Sequence, residues 1–109
     1  MDRNGTTKAH RAAAHGDVRA IAHIIKNDKE MIHKKDANGW SPLHESVRGG
    51  HVEVVKHLVA NGADVNEITG HEGEGGVSSL FLAIEEHGED HPIVEFLESV
   101  GALMIGPEL

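Results

Sequence analysis

Ten histidines are the residues of this 109-residue chain that could bind a metal ion or transfer protons near neutral pH. His87 and His91 flank Glu89 and Asp90, and these four residues form the most metal-like cluster. Their spacing, however, matches no well-established set of zinc ligands. The chain contains no cysteine, which removes thiolate ligands, disulfides and cysteine nucleophiles together. We therefore predict no metal site and no cofactor, and we interpret the histidines as structural or solvated.

Two further groups have the residue types of a catalytic or phosphate-binding site. Glu85 and Glu86 are adjacent carboxylates, but neighbouring residues of a helix point about 100° apart, so they do not form an acid–base pair. Residues 73–76 read GEGG, but no Lys-Ser or Lys-Thr pair follows them and their glutamate would repel phosphate. The chain also lacks the G-x-S-x-G pattern of hydrolase nucleophiles. These observations predict that the chain is not an enzyme.

The elements that carry these residues are clearest in residues 36–66, which read as one helix–turn–helix–loop unit. Ser41 can cap a helix, and Pro42 suits the first helical position because that N–H has no partner within a helix. Gly62 supplies the positive φ that often follows a helix. Residues 51–60 carry four apolar side chains at helical spacing, namely Val52, Val55, Leu58 and Val59. Two helices this short cannot bury their apolar faces alone, so stacked copies are required.

This unit resembles the ankyrin repeat, whose pattern T-P-L-H-x-A recurs about every 33 residues. Residues 41–46 give this pattern as SPLHES, and residues 50–58 give the second-helix signature as GHVEVVKHL. Residues 62–66 supply the closing GADVN. The resemblance implies an all-α solenoid of stacked helix–turn–helix units with short β-hairpin-like loops. It also implies that His10 and His44 hydrogen-bond to backbone or to the Thr/Ser hydroxyl and tie neighbouring repeats together.

The flanking segments follow the same pattern less closely. We predict one domain over 1–109, with repeats at about 3–35, 36–68 and 69–104 and a tail at 105–109. Asp17 is the predicted N-cap of the second helix in the first repeat. The first helix of the third repeat starts four residues late, after an acidic, Gly-rich loop at residues 67–77 that would form a longer finger. The apolar residues 103–105 either fold over the end of the stack or mark where a longer parent chain continues.

The formal charge of −8 is distributed unevenly along the chain. Residues 1–69 hold ten Lys/Arg against nine Asp/Glu, whereas residues 70–109 hold nine Asp/Glu and no Lys or Arg. The acidic end would repel phosphate backbones, so we predict no nucleic-acid binding and a partner with a basic or mixed-charge surface. The alternative is that the excess charge serves solubility alone. We find no membrane-spanning run and no signal peptide, and we expect a cytoplasmic monomer, with a nuclear location also compatible.

The resemblance implies protein–protein recognition through the concave face and the finger loops. The positions that it assigns to partner binding are Asn38, Trp40, Arg48, Glu72, Glu74, Val77, Glu85 and Glu86. Trp40 stands at a variable, exposed position of the consensus, and Trp is enriched in interface hot spots. The alternative is that Trp40 covers the neighbouring hairpin.

Two other functions remain open at this stage. The chain could be a regulatory or structural ankyrin segment of a larger, enzyme-containing protein, which an exposed apolar end would support. Asn66 resembles the asparagine that asparaginyl hydroxylases modify in ankyrin repeats. The competing interpretation of Asn66 is structural, because this side chain normally holds the backbone of the finger.

Overall fold

The computed structural model describes residues 5–71 and 74–107, and this part of the chain contains six α-helices and no β-strand. Their bounds are α1 Lys8–His15, α2 Val18–Asn27, α3 Pro42–Arg48, α4 Val52–Ala60, α5 Ser79–His87 and α6 Pro92–Ser99. A 3-10 helix, Lys29–His33, follows α2. The predicted all-α repeat architecture is therefore confirmed. No helix in the described residues has the length and hydropathy needed to cross a membrane.

Side-chain caps determine where the helices begin. The hydroxyls of Thr7, Ser41 and Ser78 each accept a hydrogen bond from the backbone N–H three residues later, at 3.2, 3.3 and 3.3 Å. The Asp17 carboxylate caps α2 in the same way, at 3.0 Å from the Ala20 N–H. These bonds satisfy N–H groups that have no partner within a helix. The predicted caps at Asp17 and Ser41 are confirmed.

The helices stack in two layers, with α1, α3 and α5 in one and α2, α4 and α6 in the other. Val55 and Leu58 of α4 are fully buried, as their spacing predicts. Val54 is fully buried as well, although the predicted apolar face omitted it. The reason is that α4 is the middle helix of its layer and packs against α2, α3 and α6, so its buried arc is wider than one apolar stripe.

The C-terminal segment lies against the beginning of α5. The Ser78 N–H donates to the Ile105 carbonyl at 2.9 Å, and the Ser78 hydroxyl donates to the Leu103 carbonyl at 2.8 Å. Gly106 packs under the Phe81 ring, where an added Cβ would lie 2.9 Å from a ring carbon. The segment thus folds back over the third repeat. This agrees with the first of the two alternatives for residues 103–105, that they fold over the end of the stack.

Candidate partner-binding surface

His10 fixes the loop that presents Trp40. The His10 Nδ1 accepts the Thr7 N–H at 3.1 Å, which leaves Nε2 as the nitrogen that donates. The Nε2 then donates to the Trp40 carbonyl at 2.7 Å. The same carbonyl accepts the Asp36 N–H at 2.8 Å. The predicted role of His10 in tying neighbouring repeats together is confirmed by these bonds.

His44 repeats this arrangement one repeat later. Its Nδ1 accepts the Ser41 N–H at 3.0 Å, and its Nε2 donates to the Glu67 carbonyl at 2.9 Å. Burial lowers the pKa of His44 below its usual value, which the hydrogen bond to Glu67 partly opposes and the positive charge of Lys35 reinforces. His44 therefore stays neutral at neutral pH, as the hydrogen-bond pattern requires.

Three other histidines bridge repeats in a way that the sequence analysis did not assign to them. In each case Nε2 donates to a backbone carbonyl of the preceding repeat. The donor–acceptor pairs are His51 with Ala14 at 2.9 Å, His71 with Ala37 at 2.9 Å and His87 with Val47 at 2.7 Å. Only His51 stands in the recurring second-helix signature, so its role could have been inferred. No pattern in the sequence marks the acceptors of His71 and His87.

The sequence analysis also missed Lys35, which positions the loop between the second and third repeats. Its half-buried ammonium group donates to the carbonyls of Ile68 and Gly70 at 2.9 and 2.8 Å. It also lies 3.8 Å from the Glu67 carboxylate. Burial raises the pKa of Glu67, and the charge of Lys35 opposes that shift. Lys35 thus holds the loop that begins the third repeat.

Trp40 forms a platform with residues of α3. Its indole ring is half-buried and packs against the core, and it meets the His44 ring edge-on with centroids 5.9 Å apart. The Arg48 guanidinium lies 5.2 Å from the indole centroid, within cation–π range. A 2.7 Å ion pair with Glu45 holds this guanidinium in place. Trp40 is therefore less exposed than its consensus position predicts, because Arg48 covers one face and the core contacts the ring.

Hydrogen bonds hold the finger loop of the third repeat, residues 70–77, at its base and near its tip. Thr69 and Val77 exchange two bonds across the base, at 2.9 Å from the Thr69 N–H and 3.0 Å to the Thr69 hydroxyl. Glu74 accepts the His71 N–H at 2.9 Å. Val77 is half-buried and packs against the core, so it offers less surface than the sequence analysis expected. Glu72 lies outside the described residues.

The exposed candidates lie in the finger loops and at the ends of α3 and α5. The exposed members of the predicted set are Asn38, Arg48, Glu74, Glu85 and Glu86. Arg48 ends α3, and Glu85 and Glu86 lie in the last turn of α5, which packs beside α3. The C-terminal ends of α3 and α5 therefore present one cation and two carboxylates on the same layer.

The Asn66 side chain makes a structural hydrogen bond. Its side-chain oxygen accepts the Leu103 N–H at 2.8 Å, so it holds the C-terminal segment. This contact fits the structural interpretation of Asn66, and its modification stays a prediction.

The histidine pair considered for metal binding is occupied by other bonds. The rings of His87 and His91 stack with centroids 4.5 Å apart. The His87 Nε2 donates to the Val47 carbonyl, and the His91 Nδ1 accepts the Ile93 N–H at 3.1 Å. Within the two described ranges, no three His, Asp or Glu side chains are grouped so that they could hold a metal ion.

Comparison with known families identifies the repeat. A family model of ankyrin repeats, in three copies, matches residues 9–103. A comparison with curated proteins gave no match. Ankyrin repeats are generally protein–protein interaction modules, and the family is typically non-catalytic.

Proposed function

Since this chain belongs to the ankyrin-repeat family, we propose that it is a non-catalytic module that binds a partner protein through its concave face and finger loops. The residues proposed to contact the partner are Asn38, Trp40, Arg48, Glu72, Glu74, Val77, Glu85 and Glu86. A cytoplasmic or nuclear location is part of this proposal and is compatible with the absence of cysteine.

The observation that carries the proposal is the platform formed by Trp40, Arg48 and Glu45. Trp and Arg are the residue types most often found at binding hot spots. Here both are held before any partner arrives, since the Trp40 backbone is bonded on both sides and Arg48 is paired with Glu45. A surface that is already ordered loses less conformational entropy on binding.

The charges beside the platform suggest the chemistry of the partner. Glu85 and Glu86 are exposed and belong to a segment, residues 70–109, that contains no Lys or Arg. Arg48 retains N–H groups that its bond to Glu45 does not use, and these could donate to a partner carboxylate. The complementary surface is therefore basic or mixed in charge, with Lys or Arg facing the third repeat. Nucleic acid does not fit this arrangement, because its phosphates would face the carboxylates.

Affinity capture from native lysate tests the proposal. Wild-type protein, Trp40→Ala and the double variant Glu85→Gln/Glu86→Gln serve as baits, and captured proteins are identified by mass spectrometry. We expect at least one protein to be captured by the wild type and depleted with both variants. The matched control Glu95→Gln/Glu98→Gln removes the same charge from exposed positions on α6 and should retain it. A partner that all four baits capture equally would place the binding surface elsewhere.

A second candidate function, a regulatory or structural segment of a larger protein, is favoured by one observation. Leu103 and Met104 are 56 % and 54 % exposed, so the apolar end offers a face against which a further segment could pack. Thermal unfolding of the isolated chain tests this candidate. A cooperative transition well above growth temperature would count against it, since a segment that needs its neighbours should be marginal alone.

A further inference from the structure

We propose that this chain associates weakly with a second copy of itself, head to tail, so that the C-terminal end of one stack meets the first repeat of the next. This goes beyond recognition of a partner on the concave face, because it uses the two ends of the solenoid. Each end contributes one distinct feature, and the two repeats that carry these features are opposite in charge.

The first feature is an apolar patch at the C-terminal end, which we call the C-terminal patch. Val100, Leu103 and Met104 are the large hydrophobic side chains that are exposed among the described residues, at 41 %, 56 % and 54 %. All three fall within five residues of one another, whereas exposed apolar side chains are normally scattered. The backbone of Leu103 is fixed by Asn66 on one side and by Ser78 on the other. The patch is therefore held in place before it meets any surface, which lowers the entropic cost of binding.

The second feature is a groove in the first repeat, which we call the N-terminal groove. It has a volume of about 190 Å³ and is lined by Thr7, Lys8, Met31 and Lys34. Lys8 and Lys34 are exposed, and Met31 is half-buried. A half-buried thioether between two lysines offers both an apolar contact and positive charge.

Charge favours a second copy as the occupant of the patch. Described residues 5–35 hold seven Lys/Arg against three Asp/Glu, a balance of +4. Described residues 74–107 hold seven Asp/Glu and no Lys or Arg, a balance of −7. The first and third repeats each pack against the second, at opposite ends of the stack. Two C-terminal ends would repel each other, whereas a C-terminal end and a first repeat attract.

Such a contact is heterologous and leaves one patch and one groove free at the ends of every assembly. The assembly can therefore continue beyond two copies. The patch is small, so the association belongs to the weak class, and dilute protein remains monomeric, as the sequence analysis expects.

Sedimentation velocity of the full chain tests the association. Between ~10 µM and ~1 mM protein at low salt, the weight-average mass should rise above that of the monomer without reaching a plateau at the dimer. Raising the salt from ~0.05 M to ~0.5 M should weaken the association at least ~10-fold, because the attraction acts between solvent-exposed charges. A monomer at every concentration would overturn the proposal and would favour a following segment, or another protein, as the occupant of the patch.

Two blocked variants test the head-to-tail geometry. Lys8→Glu/Lys34→Glu reverses the charge at the groove, and a Glu in the first turn of α1 is favourable for the helix, so folding is retained. Leu103→Lys/Met104→Lys places cations on the patch. Each variant alone should stay monomeric, and a 1:1 mixture should associate, because the intact patch of one variant can meet the intact groove of the other. If neither variant alters self-association, or if the mixture stays monomeric, the proposed contact is wrong.

Matched controls separate the proposed surfaces from net charge. Lys26→Glu/Lys29→Glu changes two exposed lysines of the same repeat outside the groove. Ala22→Lys/Ala60→Lys adds two cations at exposed positions away from the patch. Both controls should lose less of the association than the blocked variants, because they leave the contacting side chains in place. Controls as impaired as the blocked variants would show non-specific charge attraction and would overturn the assignment of the surfaces. Circular dichroism of each variant confirms that it is folded.

Discussion

The Ser79 hydroxyl is the buried side-chain oxygen of the described residues that has no hydrogen-bond partner. Ser79 is the first residue of α5, at the position that Pro42 occupies in α3. An unpaired buried hydroxyl opposes folding, because it loses its bond to water without replacement. The preceding residue, Ser78, has φ −78° and ψ 165°, the extended conformation that a following proline prefers.

We therefore expect Ser79→Pro to raise the free energy of unfolding by about 1 kcal/mol. The substitution removes the unpaired hydroxyl and fixes φ at a value that suits the first turn of a helix. Urea unfolding followed by circular dichroism measures the change. Ser79→Ala is the control, since it removes the hydroxyl without restricting the backbone and should give a smaller gain. A loss of stability in the proline variant would mean that its ring overpacks the site.

Position 39 requires glycine for two reasons, its backbone angle and the close approach of a neighbouring loop. Its φ is +78°, and an added Cβ would lie 2.3 Å from the backbone of Gly70, which donates its N–H to the Gly39 carbonyl. We expect Gly39→Ala to lower the free energy of unfolding by about 2 kcal/mol or more, because the clash adds to the backbone strain.

Gly101→Ala is the matched control for this prediction. Gly101 has the same φ of +78°, and nothing lies within 4 Å of its Cβ position. It should therefore report the backbone strain alone, at about 1 kcal/mol. Chemical unfolding of both variants measures the difference. Equal losses would show that the contact between the two finger loops contributes nothing.

At the scale of the elements, histidine side chains connect each repeat to the next. His44 accepts a backbone N–H at Nδ1, so a proton added to this ring would break the bond inside its own helix cap. The pKa of His44 is lowered in the folded protein by burial. The unfolded chain therefore takes up a proton more readily than the folded one, and stability rises with pH across this interval.

We expect the free energy of unfolding to be fully developed above the ordinary histidine pKa of about 6.5 and to fall as the pH decreases below it. Glu67 acts in the opposite direction, since its raised pKa favours the fold at low pH and disfavours it as the pH rises through that value. Urea unfolding of the Glu67→Gln variant from pH 7.5 to 5.5 isolates the histidine effect. In the same background, His44→Gln should flatten the pH profile. An unchanged slope would show that other groups cause it.

The sequence predicted those parts of the elements that depend on local chemistry. Asp17 and Ser41 were identified as caps because a cap acts within one turn of its own helix. The half-burial of Trp40 and the bonds of His87 and Lys35 were not predicted. Each of these depends on the position of a carbonyl or a side chain in another loop or helix, about 8 to 40 residues away. The repeat period places whole units in register, but it does not specify such side-chain partners.

At the scale of the whole molecule, the stability of a solenoid depends on the interfaces between repeats. Lys35, the last residue of the first repeat, holds the junction of the second and third repeats, because its ammonium group donates to a carbonyl on each side of that junction. The bond from His87 to the Val47 carbonyl joins the same two repeats, and His44 binds the Glu67 carbonyl just before their junction. The two Lys35 bonds are charge-assisted, and such bonds stabilise more than neutral ones.

Replacing Lys35 with Met keeps its aliphatic length but leaves the carbonyls of Ile68 and Gly70 without their donor. We expect Lys35→Met to lower the free energy of unfolding by about 2 kcal/mol. Because the lost bonds belong to one interface, hydrogen exchange should accelerate more in α5 and α6 than in α1 and α2. The neighbouring exposed lysine gives the control Lys34→Met, which should change neither quantity by more than about 0.5 kcal/mol. Equal acceleration in all six helices would instead show that the three repeats unfold as one unit.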